Sequence, residues 1–215
     1  MRKISFKKTL LCFILLFNFI FIKIQAQTIE TKWLHAINTE SGSFLNNSSS
    51  FLSNSTTYFA IGLPLIILTD GYISGDENTI KNGWYIVSSL AVSSIFTEVL
   101  KYSINRPRPY ITYPGYIIPR GTEGSSSFPS GHSSMAFSVA TALSISYPKW
   151  YVIVPSMLWA TSVGYSRMNL GVHYPSDVVA GAVLGAGSAW LTVKLNQWLN
   201  RPLEKATKCT MDMIK

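Results

Sequence analysis

The sequence predicts an all-α protein, a helical bundle of about five to six helices set in a membrane. Three observations carry this. Hydrophobic residues make up 47% of the 215 and charged residues only 13%, about half the charged share usual in a soluble domain. Five apolar segments recur along the chain, each too long for an ordinary strand and apolar on most faces, the pattern of helices buried in lipid or deep in a core. Those segments are rich in Gly, Ala and Ser, residues that let membrane helices approach closely. The same composition excludes a disordered tail, a collagen-like fibre and a highly charged coiled coil. A soluble helical bundle is the competing architecture, because Ser, Thr and Glu98 interrupt the apolar runs.

Residues 1–26 read as a signal peptide. Arg2, Lys3, Lys7 and Lys8 precede an apolar run over 9–22, and Ala26 is a plausible last residue before a cut. The run is shorter than the roughly 20 residues of a comfortable span; an uncleaved anchor is the alternative. Removing 1–26 takes away five of 18 basic residues and none of the 10 acidic ones, so the net charge falls from +8 to +3. The basicity thus belongs largely to targeting, and no nucleic-acid partner is expected. Cys12 leaves with the leader, and Cys209 alone forms no intrachain disulfide.

Residues 27–54 read as a polar N-terminal lead, a weak helix over 28–37 followed by a Ser- and Asn-rich loop. Residues 55–195 form the helical core, with apolar segments at 57–73, 84–100, 135–147, 150–165 and 178–193. Residues 196–215 form a basic C-terminal tail. Tyr58, Trp84, Tyr147, Trp150, Tyr151, Tyr174 and Trp190 lie near segment ends, as in an interfacial aromatic belt. Gly181 and Gly185 make a small-xxx-small pair.

The polar chemistry gathers in three patches, 101–109, 125–134 and 165–177. In an up-and-down bundle the ends of segments two and four and the starts of three and five lie on one side, so the patches become neighbours. Lys101, Arg108 and Arg167 are then three converging cations that need an anion. Arg offers a planar fork matched to phosphate oxygens, and Lys a compact charge. Pro129, Ser130, Gly131 and His132 just precede a helix. Gly131 lets the backbone come near a ligand, the free N–H groups of a helix start attract anions, and Ser130 adds a hydroxyl. His173 and Asp177 are four apart and share a face if the last helix begins by His173. A carboxylate there fixes the imidazole tautomer and favours the charged ring, and Pro175 fits the first turn.

Taken singly, each patch has a plain reading: snorkelling cations, a turn before a helix, a surface ion pair. Those readings do not require the patches to meet. Arg106, Arg120, Glu123 and His35 read as surface or loop groups. The stretch 110–127, with Tyr110, Tyr113 and Tyr116, reads either as the lining of a lipid entrance or as a cover over the bundle.

Lys101 six residues before Arg108-Pro109, then Pro129-Ser130-Gly131-His132, then Ser166-Arg167 with His173 and Asp177 at spacings of five and three, resembles the three-part signature of the type 2 phosphatidic acid phosphatase family. That family includes membrane lipid phosphatases, soluble secreted acid phosphatases and vanadium haloperoxidases. The resemblance implies a phosphatase acting through a phosphohistidine, with no metal and no other cofactor. It implies His173 as nucleophile, Asp177 as its orienting carboxylate and His132 as the acid for the leaving oxygen. Lys101, Arg108, Ser130, Gly131 and Arg167 would hold the phosphoryl oxygens. The implied substrate is a phosphorylated lipid: phosphatidic acid, phosphatidylglycerol phosphate, a polyprenyl diphosphate or a lipid A phosphate. The expected location is a bacterial-type cytoplasmic membrane with the site facing the periplasm or exterior. The alternatives are a soluble periplasmic acid phosphatase of the same family and a non-catalytic anion-binding membrane protein.

Overall fold

The computed structural model describes residues 29–39 and 42–213, with side chains through Gln197. The leader expected over 1–26 lies outside the described residues. Among those described, helices are the regular structure, joined by short turns and by the irregular stretch 113–130, with one isolated bridge between Pro114 and Ile117. We number the helices α1 (29–39), α2 (Ser43–Ser74), α3 (Glu77–Ile104), α4 (Pro109–Thr112), α5 (Gly131–Ser146), α6 (Trp150–Asn169) and α7 (Pro175–Met213).

Local chemistry sets the boundaries. Gly75 closes α2 at φ 70°, a left-handed position where glycine carries no Cβ penalty. Asp76 then caps α3, accepting from the Asn78 N–H at 3.0 Å and from the Thr79 hydroxyl at 2.7 Å. That two-residue connection makes α2 and α3 antiparallel neighbours. Asn105 ends α3 at φ 43°, the left-handed conformation that Asn tolerates best after glycine.

The Ser- and Asn-rich stretch expected to be a loop is instead the first half of α2. Its small polar residues serve as packing surface. Ser49, Ser53, Ser55 and Thr56 are buried, and the Ser55 and Thr56 hydroxyls bond back to the Leu52 carbonyl. Such back-bonding satisfies the hydroxyls within the helix and leaves their slim side chains facing α6.

Helix α5 sits at the centre, packed by α3, α6 and α7, while α2 lies against α3 and α6. The contacts are made by small and hydroxyl-bearing residues. Ser89, Ser93, Thr97 and Lys101 recur every fourth residue of α3 and are all buried, so they form one ridge. Ser134 of α5 meets it, 2.7 Å from the Ser93 hydroxyl and 2.8 Å from that of Thr97. On α7, a Cβ at Gly181 would lie 2.5 Å from the Ser130 carbonyl oxygen, and one at Gly185 would collide with that of Ser134. The glycine pair therefore fixes how closely α7 approaches α5.

The outside is apolar: Phe59, Ile66, Ile95, Phe96, Val183 and Trp190 are all exposed. Three helices, α2, the 77–112 stretch that starts with α3, and α7 through Gln197, are long and apolar enough to cross a membrane. A hydroxyl-rich interior beneath a hydrocarbon exterior is the arrangement of a membrane bundle, and the chain is read as an all-α integral membrane protein. Tyr58, Trp84, Trp150, Tyr151 and Trp190 are exposed as a belt requires. Tyr174 is 1% exposed and does not belong to the belt; it lies beneath an arginine in the site described below.

Gly185→Ala tests the packing. The new methyl group meets backbone that cannot swing away, so overpacking costs about 3 kcal/mol, the upper end of the usual range. The better helix propensity of Ala offsets only about 1 kcal/mol of this. In detergent the variant is expected to melt well below wild type. Gly187→Ala, on the same helix with nothing within 4 Å of the added carbon, is the control. Equal melting temperatures for the two variants would sink the packing argument.

Candidate active site

The ends of α3 and α6 and the starts of α5 and α7 come together at one end of the bundle, and the side chains come from these helix ends and the turns beside them. Lys101 is the last member of the α3 ridge. Arg167 occupies the last turn of α6 and is 3% exposed. Arg108 precedes α4 and is 1% exposed. Ser130 is the N-cap of α5, its hydroxyl accepting from the Ser133 N–H at 3.4 Å and the Ser133 hydroxyl at 3.0 Å. Gly131 and His132 form the first turn of α5. A Cβ at Gly131 would lie 3.9 Å from the Lys101 side chain.

His173 and Asp177 meet by a route other than a shared helix face. α7 begins at Pro175, leaving His173 in the preceding turn. Asp177 stands in the first turn and reaches back, accepting the Tyr174 N–H at 3.0 Å, as the acidic member of a capping box does. The same oxygen accepts the Ser127 hydroxyl and faces the His173 Nδ1 at 3.6 Å, just beyond hydrogen-bond length. The other imidazole nitrogen, Nε2, lies 3.3 Å from the Arg108 guanidinium.

Lys101, Arg108 and Arg167 do converge. Lys101 Nζ and Arg108 Nη2 both donate to the Ser125 hydroxyl, at 2.7 and 3.3 Å. Arg108 also donates to the Ser125 and Val172 carbonyls. His132 stands close enough to Arg167, Glu123, His173 and Lys101 to feel the charge of each. All eight residues singled out by the three motifs therefore lie around one end of the bundle, with Ser130 partly committed to capping.

Two charged groups read from the sequence as surface residues belong to this end. Glu123 pairs with Arg167 and stands 3.6 Å from Arg108. Burial works against its ionised form, but Arg167, His132 and Arg108 together hold its carboxyl below the ordinary value. Arg106 donates to the free Asp177 oxygen at 2.7 Å and lies 3.8 Å over the Tyr174 ring. No helical periodicity reaches either position, and a lone charge in a loop gives no signal of its own; the Arg106-Pro107-Arg108-Pro109 alternation was the one available hint. Arg120 and His35 do stay outside the site. Arg120 donates to the Asn38 and Asn169 carbonyls, and His35 stacks on Tyr116 at 3.8 Å. Tyr110 and Tyr113 pack around Leu34, Ile117 and Tyr174, so these tyrosines tie the 110–127 stretch down as a cover.

The His173 imidazole is pulled from its ordinary 6.5 down to about 4. Burial is the main cause; Asp177 opposes it, and Arg167 and Arg108 reinforce it. The expected preference for a charged ring is thus reversed. A carboxylate does favour imidazolium, but a fully buried ring beside two guanidinium groups stays neutral, and a neutral imidazole keeps the lone pair a nucleophile needs.

Beside Lys101 opens a recess of about 380 Å³ between α3 and the 124–126 loop, lined by Glu98, Tyr102, Asn105 and Ser125 among others. Around the phosphate-holding candidates, Glu123 meets Arg167 and Arg108, while Glu98 lies near Lys101 and Asp177 near Arg108. Guanidinium groups held this way match the geometry of phosphate oxygens.

Fold and site together define a helical membrane protein with buried cations and two histidines gathered at one end of the bundle. The PAP2 superfamily model matches residues 82–201. The chain belongs to the PAP2 superfamily. It is 36% identical over 121 residues to an undecaprenyl-diphosphatase of Sulfolobus acidocaldarius, an alignment covering 55% of this chain and 57% of that one. It is 35% identical over 92 residues to a lipid A 4'-phosphatase of Bacteroides thetaiotaomicron, covering 43% and 41%. The matches thus span about half the length of these curated relatives. Among solved structures it resembles a transmembrane PAP2-type phosphatidylglycerolphosphate phosphatase of Bacillus subtilis. The TM-score is 0.69 at 26% identity, over 87% of this chain and 97% of that one.

Proposed function

We propose that this protein is a metal-independent membrane phosphatase that removes phosphate from a phosphorylated lipid through a phosphohistidine on His173. The observation that carries this reading is the meeting of Arg108 and Arg167 around a buried His173 backed by Asp177, with Lys101 and Arg108 sharing the Ser125 hydroxyl, at one end of an apolar bundle. The names of the relatives agree with it, since all three act on phosphorylated lipids by their names.

In the first step the His173 Nε2 lone pair attacks phosphorus, and the bond from phosphorus to the lipid oxygen breaks. The departing oxygen takes a proton from His132, whose imidazole is pulled down to about 4 by burial and by Arg167 and which gains its proton as the incoming phosphate dianion offsets the nearby cations. Asp177 balances the charge that develops on the imidazole. In the second step His132 takes a proton from water, the hydroxide oxygen bonds to phosphorus, and the phosphorus–nitrogen bond breaks to release phosphate and regenerate neutral His173. Throughout, Lys101, Arg108 and Arg167, with the Ser130 hydroxyl and the Gly131 and His132 N–H groups, stabilise the equatorial oxygens. An incoming phosphoryl group takes over guanidinium donors that Glu123 now occupies, and the recess beside Lys101 gives a headgroup room to reach them from the side.

The leader pattern supports a site facing the exterior of the membrane. The test is phosphate release by the purified protein in chelator, comparing phosphatidic acid, a polyprenyl diphosphate, a lipid A phosphate and a soluble monoester. Lipid phosphates are expected to be consumed fastest, and in right-side-out vesicles they are expected to be consumed when supplied from outside. Turnover that requires added divalent metal, or a preference for the soluble monoester, would overturn the reading. Lipids left untouched in the vesicles would overturn the orientation.

A further inference from the structure

Asp177 is gripped from two sides, and one grip is made by Arg106, a residue inside the first patch that the motif itself does not specify and that a residue outside all three motifs holds in place. Its Oδ2 serves Tyr174, Ser127 and His173, while its Oδ1 accepts from Arg106 at 2.7 Å. Arg106 is itself held. Its Nη1 also donates to the Ser176 hydroxyl at 2.7 Å, its Nη2 to Glu30 at 3.0 Å, and its plane lies over the Tyr174 ring. Glu30 belongs to α1, outside the 82–201 stretch that carries the family match. Its other oxygen accepts both the backbone N–H, at 2.8 Å, and the hydroxyl of Ser176. Glu30 therefore caps the start of α7 from a different helix, satisfying one of the N–H groups a helix start leaves without an intrahelical partner.

We propose that Glu30 and Arg106 are positioning residues for the phosphohistidine reaction, forming a Glu30–Arg106–Asp177–His173 relay through which α1 sets the orientation and charge of the nucleophile. The inference rests on the reading of His173 given above. Arg106 alone would orient Asp177 but also draw its negative charge away from the imidazole. Glu30 offsets that cation and so leaves the Asp177 charge to act on His173. Helix α1 is tied down along its length, by Glu30 on Ser176, by His35 on Tyr116, by the Ile37 carbonyl on Asn169, and by Asn38 on Ile118 and Asn169. The other charged or titratable groups around His173 are Arg108 before α4, Arg167 from α6 and His132 from α5, with Lys101 of α3 and Glu123 beyond them. None of them hydrogen-bonds or ion-pairs with Glu30 in the described structure, so the charge of Glu30 acts on His173 through Arg106, while its hold on Ser176 acts on the start of α7.

The experiment compares Glu30→Gln, Arg106→Gln and Arg106→Lys with wild type, reading kcat, KM and the acid limb of kcat/KM on one lipid phosphate. Glu30→Gln leaves Arg106 uncompensated, disfavours the protonated imidazole and moves the acid limb to lower pH, by about half a unit for one charge a few ångströms further on. Arg106→Gln removes the cation and moves the limb to higher pH. Arg106→Lys keeps the charge but not the fork, so the limb stays while kcat falls. All three are expected to lower kcat several-fold with KM little changed. A helix clamp with no part in the reaction would lower melting temperature and leave the limb at its wild-type pH in every variant, and that result would overturn the relay. If Arg106→Gln does not fold, the downward shift in Glu30→Gln and the unmoved limb in Arg106→Lys decide the question. The phosphohistidine itself is tested separately by wild-type labelling at His173, so a wild-type protein that labels there while Glu30→Gln keeps wild-type kinetics sinks the relay alone.

Discussion

Replacing His173 with alanine is expected to abolish phosphate release, with kcat falling on the order of 10⁴-fold or more, as when the nucleophile of a covalent mechanism is removed. The side chain is 1% exposed and sits against Arg108 and Asp177, so nothing nearby is an obvious substitute. Binding is expected to survive, because the three cations are untouched and the cavity only enlarges. The variant should still retain inorganic phosphate, the product, with near-native affinity. Rapid-quench labelling with a ³²P-lipid separates the possibilities: wild type forms an acid-labile, base-stable phosphoprotein and His173→Ala forms none. Unchanged turnover in the variant would end the phosphohistidine reading and favour an anion-binding role for the cation cluster.

Asp177→Asn is expected to cost about 10²- to 10⁴-fold in kcat, the scale seen when an orienting carboxylate beside a catalytic imidazole becomes an amide. The physics differs from that of His173→Ala. The amide retains the size of the carboxylate and can still accept the Tyr174 N–H, so the α7 start should persist. It can no longer balance positive charge on His173, and Arg106 loses its 2.7 Å ion pair. With the carboxylate gone, nothing on that side opposes burial and the two arginines. The imidazole pKa therefore falls below about 4, its present position, and the ring becomes a poorer nucleophile. The acid limb of kcat/KM moves to lower pH while circular dichroism and melting change little. Wild-type rates in this variant would refute the role given to Asp177.

Much of this end of the molecule was legible before the fold was known, because helix count alone decides which loops share a side. Five long apolar segments forced the 101–109, 125–134 and 165–177 patches together, and the structure brings them together. Charge accounting was legible only in part. Lys101, Arg108 and Arg167 announced a missing anion. What the sequence left hidden was that Glu123, from a loop with no periodicity, would sit among them. Arg106 differs from Arg108 by two positions and carries the same side chain, yet one faces Asp177 and the other Nε2 of His173. The turn between α3 and α4 separates them, and no propensity scale reports that turn. The Ser-rich opening of α2 misled for a related reason. Serine favours turns when its hydroxyl competes for the backbone, but here a closely packed neighbour rewards the slim side chain.

The four-residue comb of Ser89, Ser93, Thr97 and Lys101 has a consequence for how this chain can vary. The aim of the ammonium is a matter of phase along α3, held by hydroxyl contacts about one and two turns away from it. A single inserted residue between Ser93 and Lys101 would turn the lysine by about 100°, away from its present neighbours, while composition and span length changed by one residue and the motif spacing downstream stayed the same. Insertions in that short interval should therefore be silent to any hydropathy profile and fatal to the pocket.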